Sequence, residues 1–212
     1  MEATRQSARL RPRRLLLFGL AAVSVVVALR TPQLWVFPLW FLAWFCRDRL
    51  RWVNAAPRWL SFIGAGTLLG LLTECFAIAQ NWSTPPEDRI LLSPDPLQDL
   101  LLGFFYYLFV MTAWYAVARV YWYRPWEVFM LTGLYGICVE ETGGVLLRMT
   151  SVTGVLYALV VACVYGIFPM LALLLTRERF AGRRTWRRFP WACAALFVQY
   201  ALYGNLVYPA LR

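Results

Sequence analysis

Long apolar stretches occupy most of this chain, and short arginine-rich connections separate them. Seven stretches stand out, over residues 15–29, 34–46, 60–80, 97–120, 126–149, 152–176 and 189–211. The last five reach the roughly 20 residues that a helix needs to cross a bilayer, whereas the first two are short. In a chain of 212 residues that is 61% hydrophobic, this pattern predicts an all-α, polytopic membrane bundle of about seven transmembrane helices. Residues 15–212 then form one integral-membrane domain.

The first 14 residues form a separate, basic N-terminal segment. A charged segment followed by the apolar stretch 15–29 also fits a secretory signal, but no small-x-small cleavage pattern precedes Arg30, which favours an uncleaved anchor. The two short stretches either cross the bilayer as a tight pair or form a hairpin that enters from one side. In both cases the chain returns to its starting side by Arg47.

The distribution of arginine predicts the orientation. Of the 21 basic residues, 17 fall in the N-terminal segment and in the connections after the second, fourth and sixth stretches, and four fall on the other side. Because cytoplasmic connections are enriched in basic residues, the N-terminus is predicted to be cytoplasmic and the C-terminus external, in a bacterial-type plasma membrane. Arginines beside apolar stretches favour membrane lipids, and not nucleic acid, as partners.

The chain contains neither lysine nor histidine, which excludes several classes of site. A retinal Schiff base and a P-loop both require lysine. Histidine-ligated zinc or haem and Ser–His or Cys–His nucleophile pairs require histidine. The five cysteines form no Cys-x-x-Cys motif, so they are interpreted as apolar packing residues. We therefore predict no metal site and no cofactor.

Two apolar stretches carry the same pattern, a glycine followed four residues later by a glutamate. The pairs are Gly70 with Glu74 and Gly136 with Glu140. An ionisable side chain inside a membrane segment is costly, and it marks a candidate functional site. Small residues at helical spacing accompany each glutamate, so both glutamates are expected on packing faces of parallel helices at similar depth, in the outer half of the bilayer. Glu74 and Glu140 are the candidate catalytic residues.

Five further polar residues are candidates for the lining of an outward-facing carboxylate pocket. They are Asn205, Asp99, Glu141, Arg148 and Tyr107. Each also has a structural interpretation. Asp99 is placed to stabilise a helix N-terminus, Glu141 and Arg148 to form an ion pair, and Asn205 to hydrogen-bond between helices. The alternative for the two glutamates is a purely structural role, in which each hydrogen-bonds to a neighbouring helix and takes no part in a reaction.

Three functions remain open from these residues. The first is an acid–base enzyme acting on a hydrophobic lipid or isoprenoid, because two carboxyls in an apolar setting can divide the roles of acid and base. Its layout is similar to that of small membrane-embedded terpene cyclases, although no motif of that family is present. The second is a small proton- or cation-coupled transporter, against which the lack of an evident helix break counts.

The third function is a non-catalytic membrane subunit or assembly factor that binds another membrane protein. The pair Glu140–Glu141 resembles the acidic pair of membrane CAAX-type proteases. That family's arginine follows its pair by four residues, whereas Arg148 follows Glu141 by seven, and the family's histidines are absent. This resemblance is therefore rejected.

Overall fold

The computed structural model describes residues 2–50, 55–85, 89, 91–176 and 180–211, with side chains omitted for residues 2–14 and 32–33. The arginine side chains of the N-terminal segment, together with Arg51, Arg177, Arg179 and Arg212, lie outside this part of the chain. Over the described residues the protein is all-helical, with one isolated backbone bridge between Tyr121 and Arg183 and no strand. The N-terminal segment continues directly into the first helix.

Seven main helices make up the described part of the chain. They are α1 (Glu2–Ala28), α2 (Val36–Cys46), α3 (Arg58–Asn81), α4 (Pro96–Val120), α5 (Pro125–Val139), α6 (Val152–Thr176) and α7 (Arg188–Leu202). A 3₁₀ turn, Pro32–Trp35, precedes α2. The turn Glu140–Gly143 and a short helix, Gly144–Arg148, follow α5. A π-turn, Tyr203–Val207, and the segment Tyr208–Leu211 extend α7.

Three helices are long and apolar enough to cross a membrane. These are α3, α4 and α6, with 24, 25 and 25 residues. The apolar part of α1, Leu15–Ala28, and α2 are shorter, in agreement with the predicted short first pair. The structure thus supports a helical protein with membrane-like character, built around three candidate spans.

The fifth predicted stretch, 126–149, is not one helix, and this part of the prediction is wrong. Helix α5 ends at Val139, and Glu140 takes an extended conformation with ψ of 135°. Glu141 and Thr142 have positive φ values of 49° and 54°, and Gly143 has φ of 90°. Left-handed backbone cannot continue a right-handed helix, so the chain leaves the helix axis here. The sequence also predicted that no helix is interrupted, and the break after Val139 shows that this prediction is wrong.

Two helix starts carry residues that commonly begin a helix. The Asp95 side chain caps α4 by accepting hydrogen bonds from the backbone N–H groups of Leu97, at 2.8 Å, and Gln98, at 3.2 Å. At the start of α5, Glu127 accepts the backbone N–H of Arg124 at 2.9 Å. Proline occupies the first position of both helices, where its missing N–H costs nothing.

Helix α4 forms the centre of the bundle. Leu102, Val110, Met111 and Trp114 along it are at most 1% exposed. It packs against α3 on one side and against α7 on another, and α5 packs along α6. The indole N–H of Trp114 donates to the Thr132 hydroxyl at 2.9 Å, which links α4 to α5 inside the core.

The bundle has two chemically distinct ends. At one end α4 and α6 finish while α3, α5 and α7 begin, and the connections carry exposed arginines, so we name it the arginine end. At the other end α3 and α5 finish and α4 begins. Glu74, Asp99 and Glu140 lie toward that second end, which we name the carboxyl end.

Candidate functional site

A glycine on α3 provides the space for the first carboxyl site. Gly70 packs against the ring of Tyr107 from α4, so closely that a Cβ atom at position 70 would overlap the ring. The Tyr107 hydroxyl then donates a hydrogen bond to Glu74 Oε2 at 2.7 Å. Since residues four apart share one helix face, Gly70 accommodates the ring that reaches the glutamate one turn later.

The opposing face of α4 is shaped to receive this glutamate. Asp99, Gly103 and Tyr107 follow one another at intervals of four residues, so they form a single stripe. The Glu74 side chain lies over the middle of the stripe, where a Cβ at Gly103 would be 3.2 Å from Glu74 Cγ. Glu74 is therefore held between a tyrosine hydroxyl and a second carboxyl.

Asp99 is fully buried, at 0% exposure. Its Oδ1 accepts the backbone N–H of Ser93 at 3.1 Å, whereas Oδ2 is buried without a hydrogen-bond partner of ordinary geometry. The Glu74 and Asp99 carboxyls are neighbours, because the Glu74 side chain lies against Gly103, one turn from Asp99 on α4. Among the described residues, no arginine forms an ion pair with Glu74.

The second glutamate is built in the same way from different helices. Gly136 on α5 packs against the ring of Tyr165 from α6, again without room for a Cβ. The Tyr165 hydroxyl donates a hydrogen bond to Glu140 Oε2. The two Gly-x-x-x-Glu patterns thus have the same structural role. In each, the glycine leaves room for a tyrosine ring, and the tyrosine hydroxyl donates a hydrogen bond to the glutamate.

A cluster of tyrosines lies between the two units. Tyr106, adjacent to Tyr107 on α4, approaches Tyr165 with ring centroids 6.3 Å apart. Its hydroxyl donates to the Tyr135 hydroxyl at 3.1 Å, and the Gln199 amide donates to the same oxygen at 2.8 Å. The two glutamates therefore share an aromatic, hydroxyl-rich interior. Tyr107 was predicted as a pocket residue from the sequence, whereas Tyr135 was not.

The remaining predicted residues lie at the periphery. Glu141 and Arg148 form the expected ion pair, in which the Arg148 side chain is 59% exposed. The Tyr157 hydroxyl also donates to Glu141, at 3.2 Å. Asn205 is exposed, and its amide donates to the Ala201 carbonyl of its own helix at 2.7 Å. The structure thus brings Glu74, Asp99 and Tyr107 together and places Asn205 apart from them.

A buried ion pair at the arginine end has no counterpart in the sequence analysis. Arg188 at the start of α7 and Glu127 at the start of α5 lie 2.7 Å apart, with side chains 8% and 3% exposed. The Tyr123 hydroxyl donates to the Arg188 carbonyl at 2.7 Å, and burial raises the pKa of Tyr123 above its usual range. No local sequence signal joins residues 61 positions apart.

Within the described part of the chain, no group of three or more carboxylates or cysteines is arranged to hold a metal ion. Comparison with known proteins found no match to this chain among family models, curated proteins or solved structures.

Proposed function

We propose that the protein is a membrane-embedded acid–base enzyme acting on an apolar lipid or isoprenoid. One observation carries this proposal, namely that Glu74 lies across Gly103 between the Tyr107 hydroxyl and the buried carboxyl of Asp99. Two interacting carboxyls without a neighbouring cation readily share one proton, and they can then divide the roles of acid and base.

The hydrogen bonds around the pair assign these roles. Backbone N–H donors favour an anionic carboxyl, and Asp99 Oδ1 accepts the backbone N–H of Ser93 at 3.1 Å. Asp99 is therefore the carboxyl that stays anionic, and Glu74 is the acid that holds the proton. Tyr107 positions the Glu74 carboxyl, and the neighbouring tyrosine faces stabilise a cationic intermediate.

Such a pair carries out an isomerisation without metal or cofactor. The Glu74 proton adds to a carbon of a C=C bond, whose π electrons form the new C–H bond and leave a carbocation. Loss of a proton from an adjacent carbon to the partly exposed Glu74 carboxylate forms a new C=C bond and restores the starting state. Ring closure before the proton loss gives a cyclised product.

The surface of α3 gives an apolar substrate a route to the site. Residues Leu68, Leu72, Cys75 and Ala79 form an exposed stripe at helical spacing. Glu74 is partly exposed and lies at the edge of this stripe. A substrate dissolved in the bilayer thus reaches the carboxyl sideways. We propose that this end of the bundle faces the outer surface, as the distribution of arginine in the sequence predicts.

Solvent deuterium tests the chemistry directly. Membranes containing the protein are incubated in D₂O, and their lipids are analysed by mass spectrometry for carbon-bound deuterium. The wild type is expected to label one apolar lipid class, because Glu74 exchanges its proton with solvent before each transfer. The Glu74→Gln variant should lose the label.

The matched control is Cys75→Ser, which changes the adjacent exposed residue and should label lipids like the wild type. Correctly folded wild type that yields no carbon-bound deuterium in any lipid would refute acid–base chemistry on a carbon skeleton. Equal labelling in wild type and Glu74→Gln would remove Glu74 as the acid.

A second function, proton- or cation-coupled transport, gains support from the break after α5. Interrupted helices in transporters expose backbone carbonyls at ion sites, and Glu140 stands at such an end. Proteoliposomes loaded with a pH-sensitive dye would report this activity. Proton flux that is lost in Glu140→Gln and retained in Glu74→Gln would favour transport over the enzyme.

A further inference from the structure

The arginine end carries a rigid backbone junction between two connections that are distant in sequence. The backbone N–H of Trp122 donates to the Arg183 carbonyl at 3.1 Å, and the Arg183 N–H donates to the Val120 carbonyl at 2.9 Å. Gly182 makes this close approach feasible, because a Cβ there would lie 2.7 Å from the Trp122 nitrogen. The segment before α7 is thus tied to the end of α4.

Among the described residues, no carboxylate forms an ion pair with the exposed arginines near this junction. Glu127 is occupied by the buried guanidinium of Arg188. The exposed arginines form a set on the end of α4, the starts of α5 and α7 and the connection before α7. We call this set the arginine platform, and it consists of Arg119, Arg124, Arg183, Arg184 and Arg187.

Exposed tryptophans border the arginine platform. Trp126, Trp186 and Trp191 are 56%, 74% and 58% exposed. Arg184 lies over the Trp122 ring at 5.3 Å from its centroid, which orients one guanidinium. Tryptophan beside arginine is typical of the depth at which a bilayer's apolar core meets its headgroups.

We infer that the arginine platform binds the phosphate groups of anionic phospholipids. The guanidinium group is planar and forms paired hydrogen bonds with phosphate oxygens. The flanking indoles place these guanidiniums at headgroup depth, and two backbone hydrogen bonds hold the Arg183 backbone against the end of α4. This inference depends on the membrane character of the protein and not on the proposed chemistry.

Native mass spectrometry of the purified, delipidated full chain in detergent measures this binding. Equimolar phosphatidylglycerol and phosphatidylethanolamine are added, and the bound ratio is read directly. The wild type should retain the anionic lipid preferentially, and added salt should weaken the preference. Arg183→Gln/Arg187→Gln should lower the affinity for phosphatidylglycerol about thirtyfold, since each arginine near an anionic surface contributes about fivefold.

Arg30→Gln/Arg148→Gln is the matched control, because it removes the same charge from exposed positions outside the platform. It should leave the preference unchanged. Equal loss in both double variants would overturn the inference, because net charge alone would then explain binding. Equal binding of both lipids by the wild type would also overturn the inference. This outcome does not depend on whether the variants fold. Saturable binding of duplex DNA without any lipid preference would assign the surface to a soluble polyanion and also overturn it.

Discussion

The two glutamate units share one construction but differ in what surrounds the carboxyl. Glu74 has a second, fully buried carboxyl beside it, that of Asp99 in the first turn of α4. Glu140 stands at the end of α5, next to the exposed pair of Glu141 with Arg148. Both glutamates accept a tyrosine hydrogen bond, so this bond explains how each carboxyl is positioned. The difference lies in the partner carboxyl, which makes the Glu74 unit the better candidate for the proposed acid–base chemistry.

The largest effect expected from this comparison is on turnover. Replacing Glu74 by Gln should reduce the rate of deuterium transfer by about 10²–10⁴-fold, the usual contribution of a general acid. Replacing Glu140 by Gln should reduce it by less than about tenfold, because Glu140 lacks a buried partner carboxyl. Rates are measured by mass spectrometry at equal amounts of folded protein. Equal losses in the two variants would show that both units act on the same reacting atoms.

Substitutions that fill the two glycine positions test whether the two units are built in the same way. Gly70→Ala and Gly136→Ala should each destabilise the protein by about 1–3 kcal/mol, since the added methyl displaces a tyrosine ring. Gly64→Ala is the control, because a Cβ there meets no atom within 4 Å, and it should stabilise α3 by up to about 1 kcal/mol. Unfolding in mixed detergent and dodecyl sulfate gives the values. Three identical results would break the comparison.

Removing one hydroxyl at a time should have a smaller effect. Tyr107→Phe and Tyr165→Phe each leave a glutamate without its donor, which should cost about 1–2 kcal/mol of unfolding free energy. Tyr107→Phe should also slow deuterium transfer more than Tyr165→Phe does. Tyr115→Phe is the control on the same helix, where the ring packs against Phe180. A loss as large in Tyr115→Phe would mean that ring packing, and not the hydroxyl, is measured.

The smallest effect is expected at the exposed ion pair of the Glu140 unit. Arg148→Gln should change the unfolding free energy by less than about 1 kcal/mol, because exposed pairs are screened by water and salt. The same titration at low and high salt checks this expectation. A loss above about 2 kcal/mol would indicate that Arg148 supports the helix break itself.

The sequence predicted the long helices well and the broken helix badly. The stretches 60–80, 97–120 and 152–176 lie within two residues of α3, α4 and α6, because their apolar composition leaves no alternative to a helix. The break after Val139 could not be predicted from spacing, since the small residues around Glu140 continue at helical intervals. Positive φ at Glu141 and Thr142 is uncommon for such residues, and it depends on tertiary packing.

The site was predicted by residue type and not by contact. An ionisable group in an apolar stretch can be recognised locally, so Glu74 and Glu140 were found. Their tyrosines come from the next long helix, 33 and 25 residues away, and only helix packing selects them from the chain's 11 tyrosines. Both glycines were interpreted as helix contacts, and the structure specifies the contacting ring.

The buried ion pair of Glu127 and Arg188 has a consequence for biosynthesis. The ribosome makes α5 before α7, so Glu127 is synthesised before the cation that pairs with it. A buried charge without its partner costs about 3–5 kcal/mol. The Glu127 side chain is therefore expected to stay hydrated until α7 docks against α5 and buries the pair. In a chain truncated before Arg188, Glu127 would have no cation partner, and quality-control proteases would degrade the incompletely folded protein.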